Sequence, residues 1–204
     1  MAGRKTPAAN RTERKRERTR RELLAAGRAV LADKGPGFTI RDVTAAADVA
    51  IGTFYNYFDG PEDLIDAVMR EEVLSIAAEA AGSPLDDPAA RIAATTARIL
   101  ERALAHEQWA HLALRLVHRP GAPNQLNVYL QDDLVEGKAT GRFEFGADDA
   151  TLDLATGLFV MTLRRIVAGA AGEEVIAPAI ERLLRALGLE PGEAASLSRS
   201  ATST

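Results

Sequence analysis

Apolar residues recur at helical spacing along almost the whole chain, and the breaks between stripes fall at glycine and proline. Leu23, Leu24, Gly27, Val30 and Leu31 share one stripe, which predicts a helix from about Glu13 that stops before Gly35-Pro36-Gly37. Thr39 and Asp42 have the spacing of a capping pair, so a short second helix should start at Ile40, with Ile40, Val43, Ala46 and Ala47 inward. A third should run from about Ile51 to Tyr57, closed by Asp59-Gly60-Pro61, with Pro61 suited to the first turn of a fourth. That fourth helix turns Leu64, Ile65, Val68, Met69 and Ile76 inward and fades at Gly82-Ser83-Pro84.

The remainder continues in the same manner. A helix from Asp86–Pro88 carries Ile92, Ile99, Leu100 and Leu104 inward, and the next carries Trp109, Leu112 and Leu116 until Pro120. Helices over Gln125–Glu136, Asp148–Ala168 and Glu173–Leu187 follow, with a glycine-punctuated loop from Gly137 to Gly146. The last helix is apolar at seven of 13 positions, more than a one-sided surface helix needs. Residues 191–204 are Ser/Ala/Gly-rich and read as a flexible tail. No repeat or convincing strand interrupts the series, so the fold class is all-α.

Composition removes several function classes. The 204 residues contain no cysteine, which excludes disulfide frameworks, thiolate metal sites and cysteine nucleophiles. No apolar run has the length of a membrane span, and Arg28 breaks the only candidate for a signal segment, so a cytoplasmic protein without a membrane partner is expected. The net charge of −4 hides two unlike parts. Residues 1–60 hold 12 Lys and Arg against 7 Asp and Glu, or +5, whereas the rest hold 13 against 22, or −9. A basic head that meets a polyanion, on an acidic body that does not, accounts for the split. Residues 1–12 read as a disordered basic tail.

The positive part contains the informative stretch, TIRDVTAAADVAIGTFYNYF over residues 39–58. Two short helices joined at Ala47-Asp48-Val49-Ala50 can place the second in a major groove while the first crosses the backbone. Gly52, a poor helix former, allows close approach to a base or phosphate edge. Thr53, Tyr55, Asn56 and Tyr57 offer hydrogen bonds to phosphates and bases, and Phe54 and Phe58 anchor the helix. A plain helical hairpin with core aromatics is the alternative, and the basic helix upstream argues against it.

Residues from about Arg20 to Ala67 resemble the DNA-binding domain of the TetR family of bacterial transcriptional regulators. The likeness runs through Leu23-Leu24-Ala25-Ala26, Gly35, Thr39-Ile40, Val43, Ala47, Val49, Gly52-Thr53-Phe54-Tyr55-Asn56-Tyr57-Phe58 and Glu62-Asp63-Leu64. It implies an N-terminal three-helix domain over 13–60, a dimer on a pseudo-palindromic double-stranded operator, and a larger helical body over 61–190 that binds a small effector. The function implied is a repressor, not an enzyme, released from DNA by that effector. The resemblance puts phosphate contacts on Thr39, Tyr55 and Tyr57 and base-facing positions at Ile51, Gly52, Thr53, Tyr55 and Asn56, with Arg41 near the backbone or a base edge and Ala50 also in the DNA-binding set. Asp48 stands at a usual glycine, Ala50 at a usual capping serine, and Pro61 at a usual phosphate-binding lysine. Arg14, Lys15, Arg16, Arg18, Arg20 and Arg21 are expected to supply compensating phosphate or minor-groove contacts, making binding steeply salt-dependent.

The body shows no catalytic constellation and implies no cofactor. His111 and His118 would lie about 10 Å apart on one helix, too far for a shared metal, and His106 points elsewhere. An apolar effector pocket is expected from Trp109, Leu112, Leu116, Tyr129, Phe143, Phe159 and Met161, with His106, His111 and Arg164 as polar anchors. Arg164-Arg165 in an apolar helix should be buried, and so should meet either an acidic ligand or a carboxylate across a dimer. Leu158, Ile166, Ala179, Ile180, Leu183, Leu184 and Leu187 are expected to form the dimer face of a two-fold four-helix bundle. The rival reading makes the body a dimerisation or protein-interaction module without an effector.

Overall fold

The computed structural model describes residues 7–81, 86–117 and 126–203. Among these it is all-helical: α1 (Pro7–Lys34), α2 (Ile40–Ala46), α3 (Ile51–Phe54), α4 (Pro61–Ala81), α5 (Pro88–Ala105), α6 (Glu107–Val117), α7 (Leu126–Ala139), α8 (Asp149–Val167), α9 (Ile176–Ala186) and α10 (Pro191–Ala201). Single 3-10 turns at Gly35–Gly37 and Glu173–Val175 follow α1 and precede α9. No described helix is long and apolar enough to cross a membrane.

Two compact units divide at 69/70, nine residues beyond the expected boundary at 60/61. The reason is packing: a Cβ placed on Gly27 of α1 would lie 2.9 Å from Leu64. Leu64, Ile65, Val68 and Met69 are all buried, so the first turns of α4 complete the core begun by Leu23, Leu24 and Val30.

In the first unit, α1 begins at Pro7, so residues 7–12 are helical where a disordered tail was expected. These residues extend a helix already nucleated by its buried C-terminal half. Thr39 caps α2 as its spacing predicts: its hydroxyl accepts the Asp42 N–H at 3.3 Å, and its own N–H donates to the Asp42 carboxylate at 2.8 Å. Lys34 donates to the same carboxylate at 2.7 Å, tying α1 to α2. That ammonium and the Thr39 N–H hold the Asp42 carboxyl well below the usual range. Val43 and Thr44 are buried; Ala46, expected inward, is exposed.

The turn between α2 and α3 uses Asp48 at φ 52, the left-handed region that its position in place of glycine requires. Asp48→Ala should therefore lower stability by about 1 kcal/mol, while Asp48→Gly should be neutral or stabilising. Urea unfolding midpoints of the two variants measure the difference.

In the second unit, α5 starts with Asp87 accepting the Ala89 N–H at 3.0 Å. It buries Ile92, Ile99, Leu100 and Ala103, whereas Leu104 is only half-buried. Helix α7 continues to Ala139 through Gly137, where a loop was expected. Gly137 is a contact, not a break: a Cβ there would lie 2.0 Å from the Phe143 ring, which fills the notch. The larger correction is α10. Residues 191–201 are a helix with Ala194 and Ser198 buried, packed on α9 and α5, not a flexible tail. Pro191 occupies its first turn, and Glu193 holds Arg142 at 2.8 Å. The same guanidinium pairs with Asp87 at 2.8 Å and lowers the carboxyl below its ordinary value.

Candidate nucleic-acid interface

Helix α3 is a single four-residue α-turn that tightens afterwards. Asn56 N–H bonds to Thr53 O at 3.2 Å and Tyr57 N–H to Phe54 O at 2.9 Å, so the expected helix to Tyr57 ends in 3-10-like turns. Ala50 precedes it with no side-chain cap, as the loss of a hydroxyl implies. Phe54 and Phe58 are buried with ring centroids 5.5 Å apart, and they fix the turn to the core. Of the residues between them and before them in α3, Thr53 and Tyr57 are half-buried and the rest face outward. Ile51 is 44% exposed and Tyr55 56%, and Gly52 and Asn56 are exposed as well.

Tyr55 meets the Phe54 ring edge-on at 5.6 Å, yet neither it nor Ile51 belongs to the buried core. Nor does Gly52: its φ is not in the left-handed region, and a Cβ there would meet nothing within 4 Å. Glycine here serves neither the turn nor the core. Thr39 and Arg41 are exposed at the start of α2, while Thr53 and Tyr57 are half-buried. The expected DNA-facing residues of α2 and α3 thus share one unit, with Thr39, Arg41, Ala50, Ile51, Gly52, Tyr55 and Asn56 exposed.

The basic residues of α1 separate into two groups. The Arg16 and Arg20 guanidiniums lie 5.9 Å over the rings of Tyr57 and Phe58. Arg14, Lys15, Arg18 and Arg21 are exposed, with Arg18 paired to Glu22 at 3.5 Å.

Among the described residues, those expected to line an effector pocket are divided between core and surface. Trp109, Leu112 and Phe143 are buried in the core of the second unit, and Phe159 is half-buried. His106, His111, Arg164 and Met161 are exposed. His106 caps the end of α5, and His111 sits on the outer side of α6, 3.9 Å from Glu107. The side chains of Leu116 and Tyr129, and His118 entirely, lie outside the described residues. The Trp109 indole N–H donates to Glu72 at 2.6 Å, with Arg102 5.8 Å over its ring. That bond satisfies the indole inside the chain and leaves it no polar function for a ligand.

Two cavities of this unit have other linings. One, of about 460 Å³, lies between α8 and α9 against Leu158, Thr162, Arg165, Val175, Pro178 and Arg182. Another, of about 500 Å³, is bordered by Asp86, Asp87, Pro88, Glu136, Thr140 and Arg142.

The expected dimer face is mostly core. Ile166, Ala179, Ile180, Leu183, Leu184 and Leu187 are buried within the single chain, because α10 and α5 cover α9. Leu158 alone of that set remains half-buried, beside the groove. Arg164 and Arg165 are exposed, so neither is the buried arginine that the apolar context suggested. Positions 154, 158, 161 and 165 recur at spacings of four, three and four along α8, and this outward stripe was missed. Leu154 is 49% exposed and Met161 55%.

Residues 23–68 match the family described as bacterial regulatory proteins, tetR family. The whole chain is similar to two solved structures of RolR. The complex with resorcinol is 26% identical, with TM-score 0.64, over 91% of this chain and 95% of that one. RolR without ligand is 27% identical, with TM-score 0.65, over 87% and 95%. FadR from Bacillus subtilis in complex with stearoyl-CoA shares the fold at 16% identity and TM-score 0.56, over 83% of this chain and 98% of that one. No curated protein matches the chain.

Proposed function

Since the chain belongs, through its N-terminal unit, to the tetR family of bacterial regulatory proteins, we propose that this DNA-binding regulator is a dimeric repressor released from its operator by a small apolar effector. The observation that carries the DNA-binding part is the outward turn of α3, with Gly52 serving no internal purpose and Ile51, Tyr55 and Asn56 exposed around it. Ile51 and Gly52 suit apolar and close contact with base edges, Asn56 suits adenine, and Thr39, Tyr55 and Tyr57 suit phosphates.

The dimer is assigned to the outward stripe of α8, not to the core of α9. Leu154, Leu158 and Met161 form an apolar row beside the groove, and a second copy related by a two-fold axis would cover both. Two heads are needed because one four-residue turn reads few base pairs, and a paired arrangement spans two half-sites. Met161→Glu should shift the chain to monomer by at least one order of magnitude in Kd while leaving the fold intact, since Met161 is exposed. Sedimentation equilibrium measures the shift. An unchanged dimer would move the interface elsewhere.

Effector release draws support from the 26%-identical RolR structure that holds resorcinol. The test uses the single tryptophan as reporter. Resorcinol and related small phenols are titrated against the protein–operator complex, following Trp109 emission and operator anisotropy together. Release of DNA by any of them supports the proposal. Absence of release across a broad set of small apolar compounds would favour a constitutive dimerisation body.

A further inference from the structure

The outward side of α1 carries a pattern that the recognition turn does not use. Positions 14, 18, 21, 25 and 28 recur at spacings of four, three, four and three, which is one face of a helix. They are Arg14, Arg18, Arg21, Ala25 and Arg28, and all are exposed. No acidic residue stands in the row; Glu22 flanks it and pairs with Arg18 at 3.5 Å. From Arg14 to Arg28 the row is about 21 Å long.

Its direction matters as much as its charge. Arg16 and Arg20 continue the inner stripe of Leu23 and Gly27, and their guanidiniums cover Tyr57 and Phe58 beside the recognition turn. At 3.6 residues per turn, the centre of the outward row lies about 140° around the helix from that inner pair. A duplex seated against α3 therefore meets the inner arginines, and the outer row faces away from it.

The chemistry of the row selects its partner. Arginine forks match phosphate oxygens, and about 21 Å of duplex axis presents roughly six phosphates on one strand. A membrane surface is disfavoured because every large apolar side chain of residues 12–37 is buried. Single-stranded nucleic acid is disfavoured because no aromatic residue stands in residues 12–37 on which a base could stack.

We propose that the outward arginine row of α1 binds the phosphate backbone of a second DNA duplex while α3 holds the operator, so that the protein bridges two segments of DNA. The inference rests on the reading of α3 as the operator-binding turn. Bridging would follow no sequence on the second duplex, because the arginines of the row meet phosphates and no base edge.

The test is a capture assay with the full chain. A duplex of about 40 base pairs carrying a sequence selected by the wild-type protein is fixed to beads, and a labelled random-sequence duplex of equal length is added. The wild-type chain should retain the label on the beads. At equal amounts of bead-bound protein, the triple variant Arg14→Ala/Arg18→Ala/Arg21→Ala should retain at least tenfold less label than the wild-type chain. Loss of three phosphate contacts should also flatten the salt dependence of retention by about 2.7 in log–log slope. Equal losses in retention and in single-duplex affinity would place the row on the operator and overturn the proposal. Retention that persists in the triple variant would overturn it too, assigning bridging to the recognition turns of separate copies. Failure of the wild-type chain to bind the bead duplex would instead remove the operator reading itself.

Discussion

Deleting residues 191–204 is expected to lower the melting temperature of the chain by about 10–20 °C, or to abolish a cooperative transition altogether. Helix α10 packs on α9 and α5 with Ala194 fully buried, and its Glu193 holds the Arg142 that also pairs with Asp87. Each large side chain left exposed on α9 forfeits about 1.5–3 kcal/mol, so uncovering two removes about 3–6 kcal/mol from a domain stabilised by roughly 5–15 kcal/mol. For a chain of this size each kcal/mol moves the midpoint by about 2–4 °C. Thermal melts followed by circular dichroism measure it. An unchanged midpoint would show that α10 contributes no stability, and would return α9 to the role of an intermolecular face.

Replacing Gly52 with leucine is expected to reduce operator affinity by a factor on the order of 100 or more without loss of stability. The fold has room for the side chain, because nothing lies within 4 Å of a Cβ at this position. Leucine is also the better helix former, by several tenths of a kcal/mol. A DNA groove has no such room: displacing α3 sacrifices at least two base contacts worth about 1–3 kcal/mol each. Anisotropy titrations paired with urea melts separate the two effects. A variant that binds as wild type would mean that Gly52 does not approach DNA.

The head was legible in the sequence because its signals are local. The Thr39–Asp42 cap, the left-handed turn at Asp48 and the spacing of Phe54 and Phe58 each depend on neighbours within a few residues. The extra length of α1 was not legible: residues 7–12 carry no apolar periodicity, and their helix is an extension of a body nucleated further along.

In the body, two misreadings have one origin. Helix α10 packs through Ala194 and Ser198, whose small side chains give no hydrophobic stripe, so residues 191–204 looked like a tail. With its cover removed, α9 appeared too apolar for one chain, and Ile180, Leu183, Leu184 and Leu187 were assigned to a dimer. Arg164 and Arg165 misled for a different reason. Their neighbours Leu163 and Ile166 are buried, but helical geometry turns the two arginines to the outer half of α8, in line with exposed Met161. Aromatic spacing reports a buried stripe and not what fills the space beside it. Trp109 is bound to Glu72, and Phe143 plugs the notch at Gly137.

Residues 1–60 carry +5 against −9 on the remainder, a contrast that favours DNA at the basic head. The central claim is that this unit reads duplex sequence through the outward turn of α3. Selection of bound duplexes from a random pool by the purified chain tests it most directly. The expected result is an inverted repeat with half-sites about 34–36 Å apart, enriched by wild type and not by Gly52→Leu. A pool that stays random in the presence of the wild-type chain would contradict the claim.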